Sequence, residues 1–208
     1  MFDFSDQVVV ISGACGNVGR AVASLCGAAG AKGGVIDRDK NVLHEIFPDF
    51  IEDDNCLMAV CADITEPVEV NAVVTRSMDH FGRIDVVVNT VGGFRAGTPI
   101  HDTPIDTWDF MINLNARTVF VLTQAVAPHM ISQGKGKIIH LAARPGLQGR
   151  ANMGAYSASK AAVIRLTESA SAELKDHGIN VNCLLPGNLD TPQNRQASPD
   201  ADFGRWVT

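Results

Sequence analysis

VVVISGACGNVGRAVA, residues 8–23, joins an unbroken apolar, β-branched run to a helical run through glycines at 13, 16 and 19. A run apolar at every position suits a strand buried on both faces, the condition of a parallel sheet. Gly13 permits a tight turn, Gly16 lets a phosphate approach the backbone, and Gly19 lets a helix pack closely. A helix starting near Asn17 and Val18 then offers free N–H groups and a positive dipole end to an anion. A glycine turn that merely connects two elements would read the same letter by letter. The strand before it and the helix after it favour a dinucleotide-binding loop.

Working outward, the same alternation continues. Strand-like runs are expected at 7–12, 33–37, 56–62, 84–89, 136–142 and 179–186, and helices at 17–30, 40–47, 67–81, 104–133 and 154–177. Strictly alternating strands and helices predict right-handed βαβ units and a doubly wound parallel sheet of Rossmann type. No linker, repeat or low-complexity tract divides residues 1–208, so one domain is expected. Past NVNCLLPG the sequence turns polar. Asp200 to Trp206 reads as the start of a helix with no strand behind it, and a last strand is expected beyond Thr208.

Composition narrows the function. The net charge of −6 is interspersed, without the Lys/Arg clusters that nucleic acid requires, and no apolar stretch approaches a membrane span. Cys15, Cys26, Cys56, Cys61 and Cys183 lack paired spacing, which reads as reduced thiols in a cytoplasmic protein, and the histidines lack metal-ligand spacing.

Asp37 ends the second strand. A carboxylate there would accept hydrogen bonds from a ribose diol and repel a 2′-phosphate, favouring NAD over NADP. Arg38 next to it weakens that preference, and an ordinary strand-end turn residue remains the plain alternative. Farther on, Tyr156 and Lys160 are four residues apart, on one face of a helix. An ammonium beside a phenol favours the phenolate and draws the tyrosine pKa down from about 10, toward a usable general acid–base. The bland alternative is an interfacial Tyr with a snorkelling Lys.

SGACGNVG, CADITEP, VVVNTVGG, NLNARTVF, YSASKAAV and LLPGNLDTP, in this order and spacing, make the chain resemble the short-chain dehydrogenase/reductase family over essentially its whole length. The resemblance implies an NAD(P)(H)-dependent oxidoreductase that moves a hydride between nicotinamide and a carbonyl, alcohol or conjugated ring. It implies Tyr156 as general acid/base, Lys160 as its partner and a ligand of the nicotinamide ribose, and Asn115 as the holder of a relay water. Asp63 and Ile64 fall at the adenine end, Asn89 and Gly92 in the loop after strand four, and Pro186, Gly187, Leu189 and Thr191 at the carboxamide end. For Asn89 and Asp63 a strand-end cap is the plain alternative. Helices 104–133 and 154–177 correspond to the family's dimer face, implying a homodimer or homotetramer.

One departure stands out. Most of the family carries a serine thirteen residues before the tyrosine, and here that position is Ala143. Losing a donor aimed at developing oxyanion charge costs about a hundred- to a thousandfold where the substrate needs it. Dihydropteridine reductases do without it, and the G-x-x-G-x-x-G loop, Gly92–Phe94 and the tail are similar to theirs, so reduction of a quinonoid pterin is an alternative the resemblance implies. Arg95, Arg144, Gln148 and Asn152 are each a possible substitute donor or a solvated loop residue. A non-catalytic sensor of nicotinamide redox state is a further alternative.

Overall fold

The structure is a computed structural model that describes residues 2–48 and 57–208. Among the described residues six parallel strands form one sheet: β1 (Val8–Ser12), β2 (Lys32–Asp37), β3 (Leu57–Cys61), β4 (Val86–Asn89), β5 (Gly136–Leu141) and β6 (Ile179–Leu184). Their order is β3-β2-β1-β4-β5-β6, the doubly wound α/β arrangement expected from the alternation. Cys56, the first residue of the expected third strand, lies outside the described residues.

Apolar residues on successive positions of β1 and β4 are spent on opposite faces. Val10 and Val87 point into a core with Val70, Val73 and Val74 of α3 (Pro67–Phe81), and with Leu122, Val126 and Met130 of α5 (Thr118–Gln133). Val9, Ile11, Val86 and Val88 point into the other core, with Ala23 of α1 (Asn17–Ala28) and Leu43 of α2 (Lys40–Ile46). Burial on both faces does not extend across the whole sheet. In β6 Asn180 and Asn182 are exposed and Leu184 keeps 56% of its surface, and Lys137 of β5 is exposed as well. The polar alternation of Lys137, Asn180 and Asn182 marks these as strands with one covered face.

The helix expected over 104–133 is interrupted. Residues Ile105–Met111 form α4, a π-helical segment follows at Ile112–Arg117, and α5 continues from Thr118. The π segment carries Asn115 inward, and such bulges recur at functional sites. The helix expected over 154–177 is α6 (Gly154–Leu174), ending in a 3₁₀ turn at Lys175–His177. The tail departs from expectation. In place of a helix at Asp200–Trp206 there is a 3₁₀ turn at Phe203–Arg205, capped by the Asp202 carboxylate, and Val207 pairs with Leu189 by a bridge. Ahead of it lies a short α7 (Pro192–Ala197). No helix among the described residues is long and apolar enough to cross a membrane.

His140, on β5 and 1% exposed, shares a hydrogen bond of 3.1 Å between Nε2 and the Thr123 hydroxyl, while its Nδ1 has no partner among the described residues. Burial holds its pKa down at about 4, so the native ring stays neutral while an unfolded histidine protonates near 6.5. The unfolded state therefore binds more protons between these values, and stability is lost as pH falls through that window. The loss from this one ring is about 3 kcal/mol by pH 4. Denaturant unfolding from neutral pH to pH 4 should show this slope reduced in His140→Gln; an unchanged slope would count against the assignment.

Candidate active site

The site lies where the carboxyl ends of β1 and β4 meet. β1 pairs with β2 on one side and β4 on the other, so the loops leaving these strands diverge and open a crevice. Gly13 occupies the first loop at a φ of 70°, a left-handed conformation that a side chain disfavours. A Cβ there would also stand 2.8 Å from the Val91 amide nitrogen, so the glycine loop rests directly on the loop that follows β4. The Thr90 hydroxyl ties the two together by donating to the Ser12 and Gly13 carbonyls at 2.8 and 3.0 Å.

Helix α1 begins with no side-chain cap. Its N-cap is Gly16, no acidic residue occupies its first turn, and Gly19 is buried where helix and loop meet. The N–H groups around Asn17, Val18 and Gly19 thus lack the carboxylate or hydroxyl that usually satisfies a helix start, which fits an anionic ligand. The Asn17 amide donates to Gln193 Oε1 of α7 at 3.0 Å, bridging the loop to the tail. Asp37 is turned toward the same loop, one carboxylate oxygen accepting from the Cys15 amide at 2.9 Å and the other from the Arg38 amide at 2.8 Å. Burial and the Asp37 charge push the Cys15 thiol up to about 12, so it is inert as a thiolate.

Tyr156 and Lys160 of α6 and Asn115 of the π segment are connected through Ser159 and Gly92. Lys160 is 5% exposed, and its ammonium donates to the Leu141 carbonyl at 2.7 Å. Burial lowers its pKa to about 8. Asn115, 1% exposed, accepts from the Gly93 amide at 2.9 Å and donates to the Gly93 carbonyl at 3.1 Å and to Ser159 Oγ at 2.9 Å. Ser159 in turn donates to the Tyr156 carbonyl at 2.8 Å. Gly92 lies between the two side chains: a Cβ there would stand 2.9 Å from Asn115 Oδ1 and 3.1 Å from the Lys160 ammonium. A larger residue there would press on both side-chain ends, so the glycine lets the β4 loop pass close to them.

The Tyr156 ring lies edge-on to Phe94, centroids 4.8 Å apart. The expected depression of its phenol by Lys160 is not what the geometry gives. Burial raises the Tyr156 pKa, and the Lys160 ammonium is engaged by the Leu141 carbonyl. The Asn115 side chain itself is taken up by Gly93 and Ser159.

The remaining sequence candidates fall around this centre. Asn89, 1% exposed, accepts from the Ser12 hydroxyl and the Val91 amide at 2.9 and 3.1 Å, and its Nδ2 has no partner among the described residues. Asp63 behaves as the strand-end cap, accepting from the Thr65 amide and hydroxyl at 2.9 and 2.8 Å. Ile64 is 4% exposed in the core, so it offers the adenine end almost no side-chain surface. Pro186 and Gly187 are partly buried, with the Arg144 guanidinium 3.9 Å from where a Gly187 side chain would start. Leu189 accepts from Asn194 Nδ2 at 2.9 Å, and Thr191 caps α7 by accepting from the Asn194 amide at 3.2 Å. Ala143 is 7% exposed at the start of the 3₁₀ turn Arg144–Gly146. Sequence reasoning does not single out Ser159 or the Leu141 carbonyl, and Phe94 enters it only as part of Gly92–Phe94. Ser159 lay within YSASK and was the readable one; the other two contacts depend on tertiary packing.

The profile of the family described as short chain dehydrogenase matches residues 7–202. The chain belongs to that family. It is an oxidoreductase, and the family's cofactors are nicotinamide nucleotides. The chain is 31% identical over 98% of its length to an uncharacterized oxidoreductase of Staphylococcus epidermidis, covering 85% of that protein. It is 34% identical over 90% of its length to a subunit of (2S)-[(R)-hydroxy(phenyl)methyl]succinyl-CoA dehydrogenase of Thauera aromatica, covering 75% of it. Among solved structures, NAD⁺-bound xylitol dehydrogenase superposes with a TM-score of 0.87 at 29% identity, covering 96% of this chain and 79% of that one.

Proposed function

We propose that this short-chain dehydrogenase reduces a carbonyl group, or oxidises the corresponding alcohol, with NAD(H) as hydride carrier and Tyr156 as general acid/base. One observation carries the reading. The glycine loop rests on residues 90–91, and the next residue, Gly92, is in turn wedged against Asn115 and Lys160, so a nucleotide on that loop would reach the buried Lys160. Gly13, Gly16, Asn17, Val18 and Gly19 would hold the pyrophosphate, with the uncapped α1 amides as donors. Asp37 would take the adenine-side ribose hydroxyls with the acceptor capacity its two backbone contacts leave free. Asn89, Gly92, Pro186, Gly187, Leu189 and Thr191 border the nicotinamide end, and Asp63 secures the loop at the adenine end.

A bound nicotinamide supplies or accepts the hydride. The protein's part is the proton. Burial keeps the Tyr156 phenol protonated at neutral pH, which suits it to donate to a substrate oxygen. Lys160, with its pKa near 8, is close enough to neutrality to exchange a proton when the phenolate forms. Since the Asn115 side chain is occupied, a relay at this residue runs past its backbone carbonyl. Locking Gly93 to Ser159 is the side chain's role. With Ala143 in place of a hydroxyl, Tyr156 is the donor aimed at the substrate oxygen.

Phe120 and Trp108, 54% and 43% exposed on α5 and α4, support a homodimer or homotetramer formed through these helices. Cofactor choice is tested by Asp37→Ala. Loss of charge-assisted hydrogen bonds to the ribose should raise the NADH KM about tenfold or more and erase the preference over NADPH. A wild-type enzyme that already prefers NADPH would contradict the assignment of Asp37.

A further inference from the structure

We infer that the substrate is an oxo acid, or the matching hydroxy acid, whose carboxylate is held by Arg95 while its carbonyl lies beside Tyr156. The inference rests on the proposed hydride chemistry and names what that site takes.

A cavity of about 500 Å³ opens between the loop after β4, α4 and the start of α6, with Phe94, Arg95, Thr98, Thr107, Asn152 and Met153 among its walls. That is room for a small organic molecule. It adjoins the reacting groups, because Phe94 in its wall is the ring packed edge-on against Tyr156, 4.8 Å between centroids. A larger groove of about 550 Å³ on the outer side of α3 shares no residue with the site.

Among the described residues lining the cavity, Arg95 is the sole charged one, although the chain as a whole carries a net charge of −6. Its guanidinium stacks over the Phe110 ring, 3.6 Å from the centroid. Stacking uses the face of the group and leaves its in-plane N–H donors free for an oxyanion. Among the described residues those donors meet no acceptor and no carboxylate. The carboxylates on the neighbouring segment, Asp102, Asp106 and Asp109, make no ion pair with Arg95, and Asp102 pairs with His101 instead. The wall is also pinned. Asn152, the one non-glycine residue with positive φ (61°) among those described, accepts from the Gly97 amide at 2.8 Å and fixes the Arg95 loop to the residues preceding α6.

Arg95 is exposed in the free protein, and a carboxylate on a substrate that fills this cavity would replace water on its guanidinium with charge-assisted hydrogen bonds. A carboxylate matches the fork geometrically, and a short apolar spacer suits Phe94 and Met153. In the reaction the carbonyl carbon takes a hydride from NADH and its oxygen takes the Tyr156 proton, giving an alcohol; the carboxylate is unchanged.

The test compares levulinate and its homologues lengthened by one and two methylenes with their methyl esters, following NADH oxidation by wild type and Arg95→Gln. For the best acid, kcat/KM should exceed that of its ester by about ten- to a hundredfold. Arg95→Gln should erase the difference by raising KM for the acids, with kcat and the ester rates little changed. Equal rates on acid and ester in the wild type would overturn the inference, and if those rates still vanish in Tyr156→Phe the proposed hydride chemistry stands without it. Should no compound of the series turn over, calorimetric titration of hexanoate into protein saturated with NAD⁺ decides. Binding abolished by Arg95→Gln supports the anchor; absent binding, or binding that survives the substitution, refutes it.

Discussion

Lys160→Met is expected to lower turnover at least about a hundredfold and to raise the melting temperature. The side chain is 5% exposed, its ammonium has one partner among the described residues, the Leu141 carbonyl, and burial brings its pKa from 10.5 down to about 8. The sign follows from linkage. Between pH 8 and 10.5 the unfolded chain keeps a proton that the native state has released, so stability rises with pH across that window. At neutral pH the buried charge costs about 3 kcal/mol relative to a neutral group. Methionine has similar length without the charge and should recover most of that, less the Leu141 carbonyl it leaves without a donor. For a chain of this size each kcal/mol recovered is worth about 2–4 °C. Activity should fall at least about a hundredfold, because the phenolate loses its proton source. A variant less stable than wild type would mean Lys160 is a structural residue after all.

Tyr156→Phe should lower kcat by about a hundred- to ten-thousandfold, the contribution of a positioned acid–base group. The aromatic body and its edge-on contact with Phe94 remain, so fold, NADH affinity and substrate KM should change little. The split between kcat and binding separates loss of a proton donor from loss of shape. Steady-state rates beside a fluorescence titration of NADH measure both. Undiminished turnover would remove Tyr156 from the chemistry.

The alternation of strands and helices was legible because β-branched runs such as Val8–Ser12 and Val86–Asn89 have few other places to go than a buried parallel sheet. Residue spacing also placed Tyr156 and Lys160 on one face of α6, and the glycine loop ahead of α1. What spacing did not convey was environment. Proximity of an ammonium predicted a depressed phenol, but burial dominates, and the Leu141 carbonyl that takes the ammonium comes from another strand. Asn115 reads as a residue facing a water; its partners, Gly93 and Ser159, are set by the π segment, which no local propensity announces. Asp200–Trp206 has helical composition, yet the Asp202 cap and the pairing of Val207 with Leu189 hold it as a turn. The pairing of a free guanidinium with an apolar cavity around Arg95 also arises from tertiary packing, through Phe110 beneath it.

Because Tyr156 is the only tyrosine of the chain, the ultraviolet tyrosinate band titrates that single group. Measured with and without saturating NAD⁺, its midpoint should lie above the ordinary value in the free protein and fall when the positively charged nicotinamide is bound beside it. A midpoint that NAD⁺ leaves unmoved would contradict a phenol poised at the hydride-transfer site.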